Sequence, residues 1–355
     1  MTDFNKYTFR LRQIAEVLTT EKTDFAQLSE CLKDYKQLLL ELSGIDLEHK
    51  ESRSNLDFSN GMALGTTWAA LCVDDIMRTK KFVQGLFEAV RHLKKERDGA
   101  LHIFYAGTGP FATLILPLLA VSSPEHIRVS LMEINTESYE SVQRVFRQLN
   151  FTGFIQSTIQ ADATTYRIPE GEKIDILLSE TMQYALHQEQ QVPIILNLYR
   201  QLDKDVLLIP EKIILELGLY TYQVGLKDDE HRMESKKLAP VFELSKERIE
   251  SLDDGNYRQT GFLDFPEVTV KLPYETVKKY AHLVIFTDIQ VFGNQWITLN
   301  NSGLTTPWII RNTQHLEEDD LISLTYKIDQ HPRMVHRLKK APAEIAGGNS
   351  QQPGF

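Results

Sequence analysis

Residues 174–189 of the 355-residue chain read IDILLSETMQYALHQE. The apolar run at 176–178, bounded by polar residues, is typical of a strand that helices cover on both faces of a parallel sheet. Glu180 follows this strand within two residues, and Glu189 comes after a short loop. Because open α/β sheets bind ligands at the carboxyl ends of their strands, these carboxylates are candidates for a negatively charged clamp. The alternative is a pair of solvated loop residues.

The composition indicates a soluble globular protein of about two or three domains, since 42% of its residues are apolar and 25% are charged. No stretch approaches the roughly 18 apolar residues of a membrane span. The N-terminus lacks the layout of a secretory signal, so we expect a cytoplasmic protein without membrane contact. The net charge of −10 argues against a nucleic-acid surface and suits a cationic small molecule or peptide. Cys31 and Cys72 lack metal-ligand spacing, which predicts reduced core thiols and no metal site.

The first fifty residues carry apolar side chains three and four positions apart, from Tyr7 to Leu42. This spacing predicts an N-terminal helical hairpin of two antiparallel helices. Thr23 or Asp24 can cap the second helix, and Gly44 can end it. The apolar seam of such a pair must be buried, either against the body of the protein or against a second copy of the chain.

Residues 102–206 repeat a strand, a turn and a helix, which predicts a parallel doubly wound sheet. A further helix is expected from Asp75 to about Leu93, before the first strand of this sheet. The expected strands cover 103–106, 129–133, 158–160 and 174–178, and the expected helices that follow them cover 111–120, 137–149 and 192–202.

Beyond Pro210, short alternating stretches predict an antiparallel sandwich or barrel. The charged segment 227–256 predicts a helix or a projecting arm, and the last residues, rich in Ala, Gly, Gln and Pro, predict disorder. The predicted fold class is thus an α/β Rossmann-like domain followed by an antiparallel β-barrel or sandwich. The expected units are a helical extension at 1–57, the Rossmann-like domain at 58–206, the β-barrel at 207–335 and a tail at 336–355.

Three polar features stand at the ends of successive predicted strands. Gly107 and Gly109 form a turn between a strand and a helix, where missing side chains let a ligand approach the backbone. Glu133 ends the second strand, where a carboxylate can take both hydroxyls of a ribose. Asp162 ends the third strand and can accept a hydrogen bond from an adenine amine. Each acid alone could be an exposed strand end. The glycine turn and the two acids together, at the ends of three successive strands, predict a nucleoside site.

The glycine turn lacks the features that bind a pyrophosphate. Ala112 stands where the third glycine of G-x-G-x-x-G would be, and no phosphate-binding Lys-Ser/Thr pair follows. A nucleoside cofactor without phosphates fits better, and S-adenosylmethionine is such a cofactor. Its amino-acid carboxylate needs a cation, for which Arg78 is the best candidate; a surface salt bridge is the alternative for this arginine.

The order of these motifs resembles the protein arginine methyltransferases, a family of class I S-adenosylmethionine-dependent enzymes, over about residues 61–337. The most specific part is Ser-Glu-x-Met-x-Tyr-x-Leu-x-x-Glu at 179–189, which matches the family's double-Glu loop at its spacing. Asp75-Ile-Met-Arg78-Thr79 matches the helix whose arginine holds the cofactor carboxylate and whose aspartate pairs with a barrel loop. That loop reads Thr306-Pro307-Trp308 here.

The resemblance implies a Rossmann-like methyltransferase domain, a β-barrel and a homodimer, since the family dimerises head to tail. The chain departs from the family pattern, which indicates a divergent member. Pro307 replaces a histidine, so the pairing of Asp75 cannot be the family's. The other departures are Tyr105 for an acid and Phe111 for a glycine of the glycine motif, and Thr181 for a tryptophan and Gln183 for a glycine of the double-Glu loop.

Glu180 and Glu189 are the predicted catalytic pair, because two carboxylates that grip a guanidinium can draw its charge toward one nitrogen and leave the other to attack. The predicted cofactor contacts are Arg78, Gly107, Gly109, Glu133 and Asp162. Four further side chains are candidate acceptor contacts: Met182, Tyr184, His187 and Trp308. The alternative for the histidine is a loop position without a role, and the alternative for the other three is packing.

Three functions remain open at this point. The first is N-methylation of a guanidine, in free arginine, a related metabolite or a peptide. The second keeps the cofactor but changes the acceptor to another amine, an imidazole, a carboxylate or a carbon of a small molecule. The third is a non-catalytic cofactor-binding scaffold, which the presence of both glutamates disfavours.

Overall fold

The computed structural model of the protein describes residues 3–47, 54–224, 231–252 and 255–339. It begins with two helices joined by a short turn, α1 (Asp3–Thr19) and α2 (Phe25–Ser43). The Asp24 carboxylate caps α2 by accepting hydrogen bonds from the backbone N–H groups of Ala26 and Gln27. Gly44 ends α2 at φ +66°. The predicted cap and stop of this helix are therefore confirmed.

The N-terminal helices pack against the body of the protein. The buried Tyr35 hydroxyl donates to the Thr113 carbonyl at 2.6 Å. The Lys80 amine, which is 2% exposed, donates to the Thr20 carbonyl at 2.6 Å and the Leu18 carbonyl at 3.3 Å, near the end of α1. Of the two surfaces that could cover the predicted apolar seam, the structure shows the one within the same chain.

The central element is a five-stranded parallel sheet with the strand order β5-β4-β3-β6-β7. Before it come β1 (Leu56–Phe58), β2 (Gly61–Ala63), α3 (Thr66–Leu71) and α4 (Ile76–Leu93). The sheet and its helices are β3 (Leu101–Ala106), α5 (Leu116–Ala120), β4 (Ile127–Glu133), α6 (Thr136–Gln148), β5 (Ile155–Gln160), β6 (Ile176–Ser179), α7 (Gln191–Tyr199) and β7 (Leu207–Ile209). The predicted Rossmann-like class is confirmed.

The helix expected over 111–120 is shorter than predicted, because α5 begins only at Leu116. A helix that started at 111 would need the N–H of residue 117 to donate to the Thr113 carbonyl. Residue 117 is a proline and has no N–H. The Tyr35 hydroxyl takes that carbonyl instead.

Two antiparallel sheets form the second half of the described chain, as predicted. One has the order β13-β12-β8-β9, with β14 also on β12, and the other joins β10, β11 and β16 to β15. The Tyr326 ring of β15 stacks on the Phe242 ring of β9 at 4.4 Å and so links the sheets. The elements are β8 (Lys212–Val224), β9 (His231–Ser245), α8 (Lys246–Glu250), α9 (Gly255–Thr260), β10 (Leu263–Asp264), β11 (Val268–Lys271), α10 (Tyr274–Val277), β12 (His282–Phe292), β13 (Gln295–Ile297), β14 (Trp308–Asn312), β15 (Leu321–Ile328) and β16 (Arg333–Lys339).

Two expectations for this half need correction. Half of the charged segment 227–256 is the strand β9, paired with β8 from Ser245 to His231, and the helix expected there is limited to α8 and the start of α9. This strand lies at the sheet edge, where charged side chains are common because they block further pairing. The expected tail at 336–355 also begins too early, since β16 continues to Lys339 in register with β15. Residues 225–230 and 340–355 lie outside the described residues, and the boundaries between the units stay predictions.

Helix α4 connects the two halves of the molecule. The Lys81 amine donates to the Gln295 side chain of β13 at 2.9 Å. A Cβ atom at Gly85 would lie 2.5 Å from Val291 Cγ1 of β12, so the helix and the strand are in direct contact. In the parts of the chain described above, no helix is both long and apolar enough to cross a bilayer.

Candidate active site

A pocket opens at the carboxyl ends of β3, β4 and β6, as the strand-end pattern predicts. Measured out to its open mouth, it holds about 1010 Å³ between atoms. Its lining includes all five predicted cofactor contacts, both predicted catalytic carboxylates and one of the four acceptor candidates: Arg78, Gly107, Gly109, Glu133, Asp162, Glu180, Glu189 and Met182.

The glycine turn leaves bare backbone on the floor of this pocket. Gly107 has a φ of +74° and Gly109 a φ of +58°, a region that favours glycine. A Cβ atom at Gly107 would come within 2.3 Å of the Thr181 methyl group. Space and backbone conformation therefore both require a glycine at position 107.

Glu133 holds the glycine turn through its carboxylate. One oxygen accepts the Gly109 N–H at 2.8 Å, and the other accepts the N–H groups of Ile134 and Asn135 at 2.8 and 2.9 Å. Burial raises the pKa of Glu133, and these three hydrogen bonds act against that rise. The carboxylate is thus fixed in orientation at the pocket wall.

Asp162 lies beyond the end of β5 and is oriented by a local turn. Its Oδ1 accepts the Thr164 N–H at 2.8 Å and the Thr164 hydroxyl at 2.7 Å. Within the described ranges of the chain, no donor is hydrogen-bonded to its Oδ2. The carboxylate can therefore accept a further hydrogen bond from a ligand amine.

Arg78 and Glu180 form a buried ion pair inside the pocket. Arg78 lies in the first turn of α4, and its guanidinium contacts Glu180 Oε2; the two side chains are 14% and 1% exposed. Burial acts to lower the pKa of Arg78, but Cys72 and Asp75 together raise it above its usual value. Arg78 Nε and Glu180 Oε1 are buried without a hydrogen-bond partner among the described residues. Both groups therefore retain unused hydrogen-bonding capacity, which a ligand could satisfy.

Glu189 is buried in the same pocket but has no direct ion pair among the residues that the structure describes. Burial raises its pKa to about 7, against the opposing field of Arg78 and a hydrogen bond from Gln183. The charge of Arg78 thus acts on both glutamates. The two carboxylates differ in state, because Glu180 is neutralised by a guanidinium and Glu189 is poised to exchange a proton near neutral pH.

The loop between the two glutamates is held in a strained conformation by the second half of the chain. Ala185, Leu186 and Gln188 have φ angles of +54°, +52° and +66°, which non-glycine residues seldom adopt. The Thr287 hydroxyl accepts the Ala185 N–H at 2.9 Å, and the Tyr326 hydroxyl donates to the Leu186 carbonyl at 2.7 Å. Side-chain hydroxyls of the barrel half thereby hold the loop backbone that positions Glu189.

The remaining acceptor candidates lie outside this pocket, on the barrel side of the loop. Tyr184 packs against the core, and the His187 ring lies 5.3 Å from the Trp308 ring at an interplanar angle of 35°. Burial and the charges of Arg333 and His331 lower the pKa of His187. A direct acceptor contact by these three side chains stays a prediction, while Met182 is 4% exposed and lines the pocket.

The structure also brings residues to the pocket that the sequence did not assign to it. Cys72, expected in the core, is half-buried at the pocket wall, and Tyr105 lines the wall beside Glu133 and Arg78. Thr181 donates both its N–H and its hydroxyl to the Gln191 side chain at 2.9 Å. The sequence signal that could have placed Cys72 at the pocket is its position three residues before Asp75. For Tyr105, the signal is its position two residues before Gly107.

Asp75 joins α4 to a loop of the barrel half. Its Oδ1 accepts the Arg78 N–H at 3.2 Å, and its Oδ2 accepts the Ser302 hydroxyl at 2.6 Å and the Gly303 N–H at 2.9 Å. These two partners lie just before the segment Thr306-Pro307-Trp308 in which the sequence departs from the family pattern. Among the described residues, no group of three or more His, Cys, Asp or Glu side chains could hold a metal ion.

No protein-family model matches the sequence, and no curated protein matches it. Solved structures similar to this chain include the Trypanosoma brucei PRMT1 enzyme-prozyme heterotetrameric complex with AdoHcy, at 13% identity over 75% of this chain and 95% of that chain, with a TM-score of 0.45. Another is Arabidopsis thaliana protein arginine methyltransferase 10, at 12% identity over 77% of this chain and 93% of that chain, with a TM-score of 0.49.

Proposed function

We propose that this protein is an S-adenosylmethionine-dependent methyltransferase that methylates a guanidine nitrogen of arginine, either free, in a related metabolite or in a peptide. The observation that carries this proposal is the buried contact between the Arg78 guanidinium and Glu180, with Glu189 in the field of the same charge. The pocket contains two buried carboxylates and already accommodates the guanidinium of Arg78. Arginine, the proposed acceptor, carries the same chemical group.

The residues at the strand ends fit the cofactor. Two glycines at positive φ leave backbone exposed, Glu133 and Asp162 offer carboxylate oxygens to a ribose and an adenine amine, and no cluster for phosphates is needed. When bound, S-adenosylmethionine supplies a methyl group on a positively charged sulfur. Arg78 has five N–H donors, so it can hold Glu180 and a cofactor carboxylate together.

The two glutamates would have separate tasks in the reaction. A guanidinium is fully protonated and poorly nucleophilic, because its charge is delocalised over three nitrogens. Glu180 and Glu189 accept paired hydrogen bonds from the guanidinium, which draws its charge toward one side and favours attack by the remaining nitrogen. Glu189, with a pKa of about 7, is the better proton acceptor for the product. The strained loop fixes its position, so geometry supports both roles.

The first experiment separates cofactor users from a scaffold. We expect the protein to bind S-adenosylhomocysteine in a calorimetric titration and to lose this binding in Glu133→Ala. We then expect mass spectrometry to show the gain of one methyl group on L-arginine or an arginine peptide incubated with S-adenosylmethionine. No binding of the cofactor product by the intact protein would refute both enzymatic functions.

A second candidate is methylation of another small-molecule acceptor, such as an amine. The state of Glu189 favours it, because a buried carboxyl group with a pKa of about 7 can act as a base by itself. A lone base with a pKa near neutrality suits an acceptor that must lose a proton before attack. A panel of amines, imidazoles and carboxylic acids in the same assay tests this candidate, and methylation confined to guanidines would exclude it.

The proposal includes a cytoplasmic homodimer. Two large apolar side chains on the N-terminal helices, Phe9 and Phe25, are 61% and 64% exposed, and such residues are common at interfaces. Both described cysteines are unpaired, which suits a reducing compartment. Light scattering of the purified chain should give twice the monomer mass, and Phe9→Ser with Phe25→Ser should shift it toward monomer.

A further inference from the structure

A group of arginine, histidine and tryptophan side chains lies on the barrel side of the loop that carries Glu189. The His187 ring packs on Trp308, the first residue of β14. Trp308 pairs with Ile285 of β12, and Arg311 pairs with Leu283. Because Leu283 and Ile285 are alternate residues of one strand, Trp308 and Arg311 face the same side of the sheet. We call His187, Trp308, Arg311 and His336 the cationic corner.

The charge of Arg311 is not balanced by an acid. Across the described ranges, no carboxylate lies within 4.0 Å of its guanidinium. Its Nε is buried and has no hydrogen-bond partner there. By contrast, Arg333 on the neighbouring sheet is paired with Asp329 at 2.7 Å. A partly buried guanidinium with an unused buried donor is a costly arrangement, and an anion would offset its cost.

Two imidazoles supplement Arg311 at the corner. Burial and the charge of Arg311 lower the pKa of His336, and burial also lowers the pKa of His187. These shifts favour the neutral form of both rings, in which each ring carries one N–H donor. His187 Nδ1 is buried without a partner among the residues that the structure describes. The corner thus presents one fixed positive charge and donors that lack acceptors.

The cationic corner and the glutamate pair are adjacent along the chain and opposite in charge. His187 lies two residues before Glu189, and the same strained loop carries both. The pocket side of this loop presents two carboxylates, and its barrel side packs on β14, the strand that carries Arg311. A ligand with a guanidinium at one end and a carboxylate at the other would match both sides.

We infer that the cationic corner binds the α-carboxylate of the acceptor, so that the substrate is free arginine or a similar amino acid rather than an arginine within a peptide. This inference rests on the proposed function and names its substrate class. An internal arginine of a peptide has no carboxylate to offer Arg311. An arginine-rich peptide would also bring further positive charge to a corner that is already positive.

The test compares two acceptors that differ only in the carboxylate, L-arginine and its decarboxylated analogue agmatine. Calorimetric titration is done on the full chain saturated with S-adenosylhomocysteine, and kcat/KM is measured with S-adenosylmethionine. Because a charge-assisted hydrogen bond is lost, we expect agmatine to be weaker than arginine by about 10- to 100-fold in both measurements. This comparison needs no variant.

Variants locate the effect. Arg311→Met should lower kcat/KM for arginine by about 10- to 100-fold, mainly through KM, and should leave agmatine within about twofold. Arg337→Met is the matched control, since Arg337 is exposed on β16 next to His336, and it should change neither acceptor. Arg311→Lys should recover part of the loss.

The outcomes separate this inference from the proposed function. Equal binding of arginine and agmatine, an equal loss for both in Arg311→Met, or preference for an arginine peptide would overturn the inference while guanidine methylation stands. Methylation of no guanidine compound at all would overturn the proposed function. In that case, the binding titration alone still decides whether the corner recognises a carboxylate.

Discussion

Glu180 and Glu189 line one pocket, but their surroundings give them different charges. Glu180 contacts a guanidinium, whereas burial raises the pKa of Glu189 to about 7, so that this carboxyl group keeps its proton at lower pH. An acceptor guanidinium that enters next to Glu189 would favour its ionised form. The pair can therefore combine a fixed negative charge with a carboxyl group that titrates.

The first prediction concerns the loss of either carboxylate. Glu180→Gln and Glu189→Gln should each lower kcat by about 100- to 1000-fold, because an electrostatic contact made in the transition state is lost. Binding of S-adenosylhomocysteine, measured by calorimetry, should remain in Glu189→Gln. Glu140→Gln, on the exposed face of α6, is the control and should retain full activity. Full activity in both pocket variants would contradict the assigned roles.

The second prediction concerns the pH dependence of the rate. Only the ionised form of Glu189 can hold a guanidinium, so kcat/KM should rise with pH and level off above about pH 7, the pKa of this side chain in the free enzyme. Glu140→Gln should keep the same profile. A kcat/KM that stays constant over about three pH units, from pH 5 to 8, would show that Glu189 is not the titrating group.

The third prediction concerns stability. The pKa of Glu189 is raised in the folded protein. The contribution of this group to the free energy of unfolding is therefore fully present below its pKa in the unfolded chain, and it is lost as the pH rises to about 7. The rise from 4.5 to about 7 corresponds to a loss of about 3 kcal/mol, at about 1.4 kcal/mol per pKa unit. Glu189→Gln should therefore be more stable than the wild type at pH 8 but not at pH 4.5. Urea unfolding at both pH values measures this difference, and an equal difference at both would refute it.

Sequence reasoning predicted the pocket position of residues that stand at a strand end, such as Gly107, Glu133 and Asp162. It named Thr181 only as a departure from the family pattern and did not single out Arg311, because the importance of these residues comes from a partner far away in sequence or from the lack of one. Thr181 matters because its methyl group faces Gly107, and this contact exists only once β3 and β6 are side by side. No local pattern encodes it.

At the scale of the element, the start of α4 connects the pocket to the barrel half. Asp75 caps this helix and also accepts two hydrogen bonds from residues 302–303. Arg78 belongs to the same helical turn. A change in the barrel loop can therefore reach the Arg78–Glu180 ion pair through one carboxylate.

The fourth prediction tests this connection with a double-mutant cycle. Asp75→Ala should destabilise the protein by about 1–3 kcal/mol, because it removes a helix cap and leaves the Ser302 hydroxyl and the Gly303 N–H without their partner. Ser302→Ala should cost less, and the two effects should be non-additive by about 1 kcal/mol or more. Denaturant unfolding of the four proteins gives the coupling. Strict additivity would mean that the two side chains act independently.

Elements were predictable where their ends depend on local chemistry. The Asp24 cap and the Gly44 stop of α2 needed only neighbouring residues. The predicted start of α5 was wrong, because Pro117 cannot donate to the Thr113 carbonyl, and the donor that this carbonyl finds instead is Tyr35, which is distant in sequence. The strand β9 was missed because an edge position, not its own periodicity, explains its charge.

At the scale of the whole molecule, α4 and β12 hold the two halves together. The absence of a side chain at Gly85 lets the helix approach Val291 and the backbone of Phe292. The loop that carries Glu189 depends on hydrogen bonds from the same half. The catalytic geometry therefore depends on how closely the two halves dock.

The fifth prediction tests this docking. Alanine in place of a mid-helix glycine normally stabilises by up to about 1 kcal/mol, but Gly85→Ala should destabilise the protein by about 1–3 kcal/mol, since its Cβ would meet Val291 Cγ1 at 2.5 Å. Val291→Ala in the same chain should restore part of this loss. Thermal unfolding of the single and double variants checks both signs, and a stabilised single variant would show that the interface can open.

The alternation of strands and helices up to Pro210, and of short strands after it, was enough to predict both halves and their order. It could not predict which surface covers the apolar seam of the N-terminal helices. That choice depends on Tyr35 and Lys80 finding acceptors across the chain, and either partner surface would have suited the helical periodicity. Hydrogen bonds between distant parts of the chain therefore determine which surface covers the seam.

The pairing of β3 with β6 has a consequence for how this protein could acquire new substrates. Ala106 lies opposite Ser179, so the glycine turn and the first glutamate leave the sheet from neighbouring positions, about 4.8 Å apart. Main-chain bonds of this sheet therefore set the spacing between the glycine turn and the start of the segment that carries Glu180. Selection could rebuild the other walls of the pocket, one substitution at a time, while this spacing is inherited unchanged.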